Sequence, residues 1–188
     1  MTCVLLLPGW QGSSDGHWQR RWERLYGDIV VEQADWDFPR RGDWITRLED
    51  VILAQPGPVA LVGHSLGCHL IDAWSASTRH ADRVVCALLV APPDLHSDEL
   101  PAALLPWRHP LSQTPLPFTA TLAASTDDPY CHWQAAQQLA QRWGARCANL
   151  GACGHVNTAS GLGDWPQGRQ LLDAMLPPNQ RPTALSSA

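Results

Sequence analysis

The pentapeptide Gly63–Gly67, with the sequence Gly-His-Ser-Leu-Gly, has the Gly-x-Ser-x-Gly pattern of a serine nucleophile held in a sharp turn. By chance a chain of this length contains the pattern roughly one time in twenty, so its surroundings decide its meaning. An apolar run, Val59–Val62, leads directly into it, and a helix-compatible segment follows from Leu66. A nucleophile elbow requires this strand, turn and helix, with small residues two positions to either side of the serine. The sequence therefore predicts that Ser65 is a nucleophile.

The side chains that would activate Ser65 follow it in the chain. His155 lies in a glycine-containing turn after the last predicted strand, and it alone among eight histidines has that position. Asp127 and Asp128 follow an earlier apolar run. Asp128 is favoured as the acid because the proline after it restricts its backbone to extended conformations, whereas Asp127 could bond turn amides; one of the two is expected to cap the turn. We expect Asp128 to orient His155, and His155 to accept the proton of Ser65.

An oxyanion formed at Ser65 would need two backbone N–H donors. The amide of Leu66, the residue after the nucleophile, is the first candidate, and the amide of Trp10 in the loop after the first strand is the second. The same glycine-rich loop permits a rival interpretation, a phosphate cradle. It matches neither GxxxxGK[ST] nor GxGxxG and has no lysine nearby, which disfavours nucleotide binding. The side chains of Trp10, Trp107 and Trp133 are predicted to line an acyl or leaving-group pocket.

Alternating apolar and helix-compatible segments predict the architecture around these residues. The predicted strands are Cys3–Leu7, Ile29–Gln33, Val59–Val62, Val84–Ala91, Phe118–Ala124 and Arg146–Leu150. The predicted helices are His17–Tyr26, Asp43–Ala54, Leu66–Thr78, Cys131–Trp143 and Asp164–Leu176. Several strands are apolar at consecutive positions, as expected when helices cover both faces of a parallel sheet. The prediction is an α/β fold with a mainly parallel central sheet of about six strands and helices on both faces.

The chain length suits one domain, predicted over residues 1–177. Residues 92–117 are rich in proline, which excludes one uninterrupted helix. They form either an irregular surface connection or a small cap that carries Leu104, Leu105 and Trp107 over the site. Residues 178–188 have little to bury and are predicted to be a disordered tail.

The composition excludes several functions. A net charge of -5 without any basic cluster argues against binding to nucleic acid or to an anionic membrane surface. The six cysteines form no CxxC pair and no regular framework, so neither a zinc site nor a disulfide scaffold is expected. They are predicted to be small buried thiols, which fits a reducing cytoplasm. We therefore expect a cytoplasmic protein that uses no metal and no cofactor.

Four blocks, "LLLPGWQGSSDGHWQRRW", "LVGHSLGC", "ASTDDPY" and "GACGHVN", resemble the small serine-hydrolase family of the α/β-hydrolase superfamily. Its members include bacterial YdeN-type proteins and mammalian retinoblastoma-binding protein nine. The resemblance extends from about Val4 to about Leu176. It implies a compact α/β-hydrolase fold, with Ser65 as nucleophile, Asp128 as orienting acid and His155 as base. It supplies no natural substrate, and no segment here supports transfer of the retinoblastoma binding.

The residues and the resemblance together predict a cofactor-free serine hydrolase of small ester-like substrates, with thioesters and amides as further substrate classes. An acyl-enzyme would form on Ser65 and be cleaved by water. The alternative is a binding or regulatory protein that keeps the fold but has weak or vestigial activity. No protein partner follows from the sequence.

Overall fold

Six strands form one parallel sheet in the computed structural model, which describes residues 2–108 and 114–185. The strands are β1 Cys3–Leu7, β2 Ile29–Val30, β3 Val59–His64, β4 Val84–Val90, β5 Thr119–Ala124 and β6 Arg146–Asn149. Their order across the sheet is β2-β1-β3-β4-β5-β6, and every neighbouring pair is parallel. The predicted fold class is confirmed.

Helices cover both faces of the sheet. Within the described residues they are α1 Trp18–Tyr26, α2 Arg41–Ala54, α3 Leu66–Ser75, α4 Trp133–Trp143 and α5 Pro166–Asp173. Buried side chains of α2, α3 and α4 belong to one apolar cluster, and those of α1 and α5 belong to a second. The sheet therefore separates two cores and forms the middle of three layers.

The two cores explain why the strands are apolar at consecutive positions. Successive side chains of a strand point to opposite faces. In β1, Leu5 and Leu7 enter the core under α2 and α3, while Val4 and Leu6 enter the core under α1 and α5. All four are at most 2% exposed. A strand with water on one face would alternate apolar and polar residues instead.

Several element boundaries differ from the prediction by one to three residues, and β2 and α5 are two examples. The strand predicted over Ile29–Gln33 ends at Val30; it is an edge strand that pairs with β1 alone. The last helix, predicted over Asp164–Leu176, runs from Pro166 to Asp173. Trp165 before it has a φ of 44°, outside the helical range, and proline is favoured at the first helical position.

The proline-rich segment 92–117 contains a short 3₁₀ helix, Ala102–Trp107, in place of a longer helix. Arg108 ties the segment together, since its guanidinium donates to the carbonyls of Leu95 (2.9 Å) and Ser97 (2.8 Å). Residues 109–113 of the predicted cap lie outside the described residues.

The tail predicted to be disordered is described through Leu185. A 3₁₀ turn spans Pro178–Gln180. The amide of Thr2 donates to the carbonyl of Gln180 (3.2 Å), and the amide of Leu185 donates to the carbonyl of Leu25 (2.7 Å). Residues 186–188 lie outside the described residues. No helix in the described ranges has both the length and the apolarity needed to cross a lipid bilayer.

Candidate active site

Ser65 lies in a sharp turn between β3, which ends at His64, and α3, which begins at Leu66. Its backbone has φ 53° and ψ −122°, and its amide donates to the carbonyl of Val90 (2.9 Å). A non-glycine residue with positive φ costs about 1–3 kcal/mol and persists only where its surroundings enforce it. This turn places the serine above the carboxyl ends of the strands.

The glycines flanking Ser65 leave no room for a side chain. A Cβ added to Gly67 would collide with the backbone carbonyl of Leu7 in β1, and one added to Gly63 would lie 2.8 Å from the amide nitrogen of Cys68. The first helical turn of α3 therefore packs directly on the sheet. The requirement for small residues, inferred from the sequence pattern, has this steric basis.

Ser65, His155 and Asp128 are connected by hydrogen bonds. Nε2 of His155 lies 3.0 Å from Oγ of Ser65, and Nδ1 lies 3.0 and 2.9 Å from the two carboxylate oxygens of Asp128. Because a carboxylate only accepts, Nδ1 must carry a proton, and Nε2 of the neutral ring then accepts from the serine hydroxyl. The side chains of His155 and Asp128 are 10% and 3% exposed, so little water competes for these bonds.

Asp127, the alternative acid, points elsewhere. Its Oδ1 accepts from the hydroxyl of Ser125 (2.6 Å) and from the amide of Gly154 (2.7 Å). These hydrogen bonds lower the pKa of Asp127 below its usual value. They also join the turn after β5 to the loop that carries His155. The aspartate that contacts His155 is thus Asp128, and the neighbouring aspartate caps the turn.

Hydrogen bonds from two ring nitrogens hold the backbone at His155 and Val156. Nε2 of His64 donates to the carbonyl of His155 (2.9 Å), and Nε1 of Trp18 donates to the carbonyl of Val156 (2.8 Å). Burial holds the pKa of His64 well below its ordinary value, so this ring is neutral. Val156 has a φ of 51°, unusual for a β-branched residue, and these two bonds stabilise that turn. These contacts give His64 a structural role beneath the loop of His155.

The amide of Leu66 belongs to the residue after Ser65, and the amide of Trp10 follows Gly9, which lies against Ser65. Neither donates to an acceptor among the residues that the structure describes: Leu66 is the first residue of α3, where no intrahelical acceptor exists, and Trp10 lies in the loop after β1. The next amide, that of Gln11, already donates to the carbonyl of Trp36 (3.1 Å). A Cβ on Gly9 would lie 2.7 Å from Cβ of Ser65, so glycine there lets the loop approach the serine. Two amides without an acceptor in the described residues thus belong to segments that lie against Ser65.

A cavity of about 650 Å³ opens beside Ser65 and His155. The loop after β1 lines one side, including Trp10 and His17, and residues of the proline-rich segment line the other, including Leu104. Residues 157–159 and Tyr130 complete the wall. The segment 92–117 therefore forms part of the rim of this cavity.

Trp107 and Trp133 do not line this cavity, contrary to the predicted pocket. Trp107 is 1% exposed, and its indole N–H donates to the carbonyl of Pro39 (2.7 Å), which turns the ring into the core under α2 and α3. Trp133, the first residue of α4, packs against the same core. Their segments approach the carboxyl edge of the sheet, but their side chains are directed away from it.

Two side chains that the sequence did not assign to the site lie against it. Tyr130 stands over His155, with ring centroids 4.6 Å apart, and is half exposed. His17 caps α1 with Nδ1, which accepts from the amide of Gln19 (3.2 Å), and its ring lies 4.7 Å from that of His64. Burial lowers the pKa of His17 to about 4. The place of Tyr130 directly after Asp-Asp-Pro was the available signal.

All six cysteines are unpaired. Burial raises the pKa of Cys68 far above its usual value and that of Cys131 to about 12, so both remain thiols at neutral pH. Such thiols are inert packing groups. Within residues 2–108 and 114–185, no three His, Cys, Asp or Glu side chains are placed to hold a metal ion.

Solved structures with the same fold include two YdeN-type proteins. A protein described as a YdeN-like hydrolase from Pectobacterium atrosepticum is 25% identical, with a TM-score of 0.80 and 94% of each chain covered. The ydeN gene product from B. subtilis is 21% identical, with a TM-score of 0.71 over 93% of this chain and 98% of that one. A Bacillus cereus carboxylesterase is 16% identical, with a TM-score of 0.56 over 94% and 89%. A comparison with curated protein sequences finds no match.

A match to a protein-family model identifies the family of the chain from its sequence. The model described as "Serine hydrolase" matches residues 4–174, nearly the whole domain. The matched range contains the turn at Ser65, the acidic turn after β5 and the loop of His155. The protein is a hydrolase with the α/β-hydrolase fold, and the chain belongs to the serine hydrolase family.

Proposed function

We propose that the protein cleaves small acyl esters through a covalent acyl-enzyme on Ser65. The observation that carries the proposal is the unbroken hydrogen-bonded chain from Asp128 through His155 to Ser65, at the wall of a cavity. An isolated serine hydroxyl is a weak nucleophile and requires an oriented base. Both bonds needed for that orientation are within the 2.6–3.2 Å range of such pairs.

In the proposed reaction, Oγ of Ser65 attacks the ester carbonyl while Nε2 of His155 takes the hydroxyl proton. The amides of Leu66 and Trp10 stabilise the oxyanion, and one such donor is worth about 2.7–4 kcal/mol of barrier. His155 then gives its proton to the leaving alkoxide, and the acyl group stays on Ser65. Water, deprotonated by His155, hydrolyses the acyl-enzyme and restores the hydroxyl. Asp128 holds the ring tautomer and stabilises the imidazolium throughout.

The size of the cavity, about 650 Å³, suits a small acyl ester. The cavity is open at the surface and bounded on one side by Pro93, Leu100 and Leu104. These apolar side chains offer a surface for an acyl chain. Thioesters and amides present the same carbonyl chemistry to Ser65 and belong in the same substrate screen.

A small-molecule substrate is the only partner that we propose. The net charge of -5 gives no attraction to nucleic acid or to anionic lipid. We also infer a cytoplasmic location, because six unpaired cysteines suit a reducing compartment.

The test is covalent labelling with a fluorophosphonate probe, followed by intact mass and peptide mapping. One probe per chain should attach to Ser65 in the wild type, because displacement of fluoride needs the activated hydroxyl. Ser65→Ala and His155→Ala should lose the label, whereas Ser75→Ala, at the end of α3, should retain it. A folded wild-type protein that resists the probe would favour the alternative, a binding or regulatory protein with a vestigial site.

A further inference from the structure

The backbone of residues 35–39, which we call the clamp loop, is held by three tryptophans. The indole N–H groups of Trp44, Trp10 and Trp107 donate to the carbonyls of Asp35 (3.1 Å), Asp37 (2.9 Å) and Pro39 (2.7 Å), in that order. The backbone amide of Gln11 donates to the carbonyl of Trp36 (3.1 Å). Four of the five carbonyls in the loop therefore accept a hydrogen bond from outside it. An irregular segment rarely has so many of its carbonyls bound to side-chain donors, since most such groups bond to water or to neighbouring backbone.

The clamp loop is also braced internally. Oδ1 of Asp35 accepts from the amides of Asp37 (3.0 Å) and Phe38 (2.9 Å), which fixes the turn at the centre of the loop. The rings behind it interlock: Trp36 packs edge-on against Trp44 with centroids 5.5 Å apart, and Trp44 packs edge-on against Trp107 at 5.6 Å. Trp44 and Trp107 are each 1% exposed. Rigid core rings thus hold both ends of the loop.

The clamp loop in turn holds the residues beside the Trp10 amide. Two of its carbonyls, those of Trp36 and Asp37, bind the Gln11 amide and the Trp10 indole. The Gln11 amide is thereby engaged with Trp36, and the Trp10 amide, one peptide unit before it, keeps no acceptor among the described residues. Trp10 and Gln11 both line the cavity beside Ser65.

We propose that Trp107 and Trp44 are positioning residues for the oxyanion donor at Trp10, acting through the clamp loop. The inference rests on the proposed function, because the Trp10 amide has a catalytic role only if Ser65 forms an acyl-enzyme. Trp107 does not line the cavity and acts on the site indirectly. It does so through the hydrogen bond from its indole N–H to the carbonyl of Pro39, which holds the clamp loop in place. Donors placed before the reaction begins contribute most to oxyanion stabilisation, and small misplacements are costly.

Trp107→Phe tests this bond most directly. Phenylalanine keeps an aromatic ring against Trp44 but removes the N–H that holds Pro39. Trp22→Phe is the matched control: Trp22 is 0% exposed, and its indole N–H donates to the carbonyl of Asp164 (2.8 Å), on the opposite face of the sheet. Both variants lose one indole hydrogen bond and some aromatic volume, and urea unfolding at neutral pH establishes that both are folded.

The first measurement is amide hydrogen exchange of the peptide that contains residues 9–12, which requires no catalytic turnover. Exchange there should rise in Trp107→Phe and stay at the wild-type rate in Trp22→Phe. The second is steady-state hydrolysis of p-nitrophenyl butyrate. For Trp107→Phe we expect kcat to fall about tenfold with KM within about twofold of wild type, because a displaced donor affects the transition state more than the bound ester. Affinity for an alkylboronic acid, which forms a tetrahedral adduct at Ser65, should fall in parallel.

Unchanged exchange at residues 9–12 in folded Trp107→Phe would overturn the inference, as would an unchanged kcat. An equal loss of kcat in Trp22→Phe would also overturn it, since the effect would then be a general response to a weakened core. A wild-type enzyme that neither hydrolyses esters nor accepts the fluorophosphonate probe would refute the proposed function instead. In that case the exchange experiment still decides whether Trp107 holds the loop.

Discussion

Two buried histidines make the folded protein sensitive to acid between about pH 6.5 and pH 4. His17 caps α1, and His69 lies within α3 with Nε2 donating to the carbonyl of Pro93 (2.8 Å); both are 3% exposed. Burial is the main cause that lowers the pKa of each from 6.5 to about 4. The unfolded chain takes up these protons near pH 6.5 and the folded chain only near pH 4. Stability therefore falls as the pH drops through that window and is complete above it.

The size of the effect follows from these values. At pH 4.5 each of the two histidines costs about 2–3 kcal/mol of the free energy of unfolding. Burial also raises the pKa of Asp28, which is ion-paired with Arg169, from 3.8 to about 6; this acts with the opposite sign and offsets part of the loss. A net loss of a few kcal/mol remains, and the buried, neutral His64 adds to it. Domains of this size are stable by only about 5–15 kcal/mol, so the loss is readily measured.

Urea unfolding at pH 7.0 and pH 4.5 measures the effect, and His17→Asn isolates one histidine. Asparagine accepts the bond from the Gln19 amide that caps α1, but it does not titrate. The variant should lose about 2–3 kcal/mol less than wild type between the two pH values, whatever its stability at pH 7.0. His132→Asn, at an exposed histidine before α4, should leave the wild-type difference unchanged. A wild-type difference below about 1 kcal/mol, or an unaltered pH dependence in His17→Asn, would refute the reasoning.

Three further predictions follow from the site and the cavity. Asp128→Asn should lower kcat for p-nitrophenyl butyrate by about 10⁴-fold while the circular dichroism spectrum stays that of wild type, because the amide favours the wrong ring tautomer; a loss under tenfold would contradict the role given to this carboxylate. Gly67→Ala should destabilise the protein by about 3 kcal/mol or more in urea unfolding, because its Cβ meets the β1 backbone, whereas Gly42→Ala, with nothing within 4 Å of its Cβ, should gain up to about 1 kcal/mol. The cavity lining includes Asp94 and Glu99 and, within the described residues, no Lys or Arg. Anionic esters such as p-nitrophenyl hemisuccinate should therefore have about fivefold lower kcat/KM than the neutral butyrate, and equal values would contradict this.

The predictable parts of the fold and site were those encoded locally. The apolar runs placed the inner strands β1, β3 and β4, because strands buried on both faces cannot contain polar residues at alternate positions. The sharp turn at Ser65 was identifiable because the requirements at Gly63 and Gly67 are steric and lie within two residues of Ser65. The contact of His155 with Asp128 followed from their positions after successive strands, whose carboxyl ends meet at one edge of a parallel sheet.

The parts that could not be predicted depend on contacts between distant segments. Trp107 lies in a segment that approaches the site, but its indole points to Pro39, a residue 68 positions away. Nothing in the local pattern specifies that direction, because a buried tryptophan satisfies its N–H wherever a free carbonyl is available. The clamp loop itself has the composition of an ordinary turn. Its importance comes only from the side chains that the folded chain brings against it.

Burial keeps two of the three histidines around the site neutral. The ring of His64 lies 4.7 Å from that of His17 and 5.0 Å from that of His155, and a second positive charge this close would oppose an imidazolium at His155. Burial keeps His17 and His64 neutral, and both are used as neutral groups: one accepts a bond from the α1 amide, the other donates to the His155 carbonyl. Of the three rings, only His155 contacts a carboxylate in the described residues. The burial that makes the fold sensitive to acid thus also keeps positive charge off His17 and His64, next to the ring that contacts Ser65.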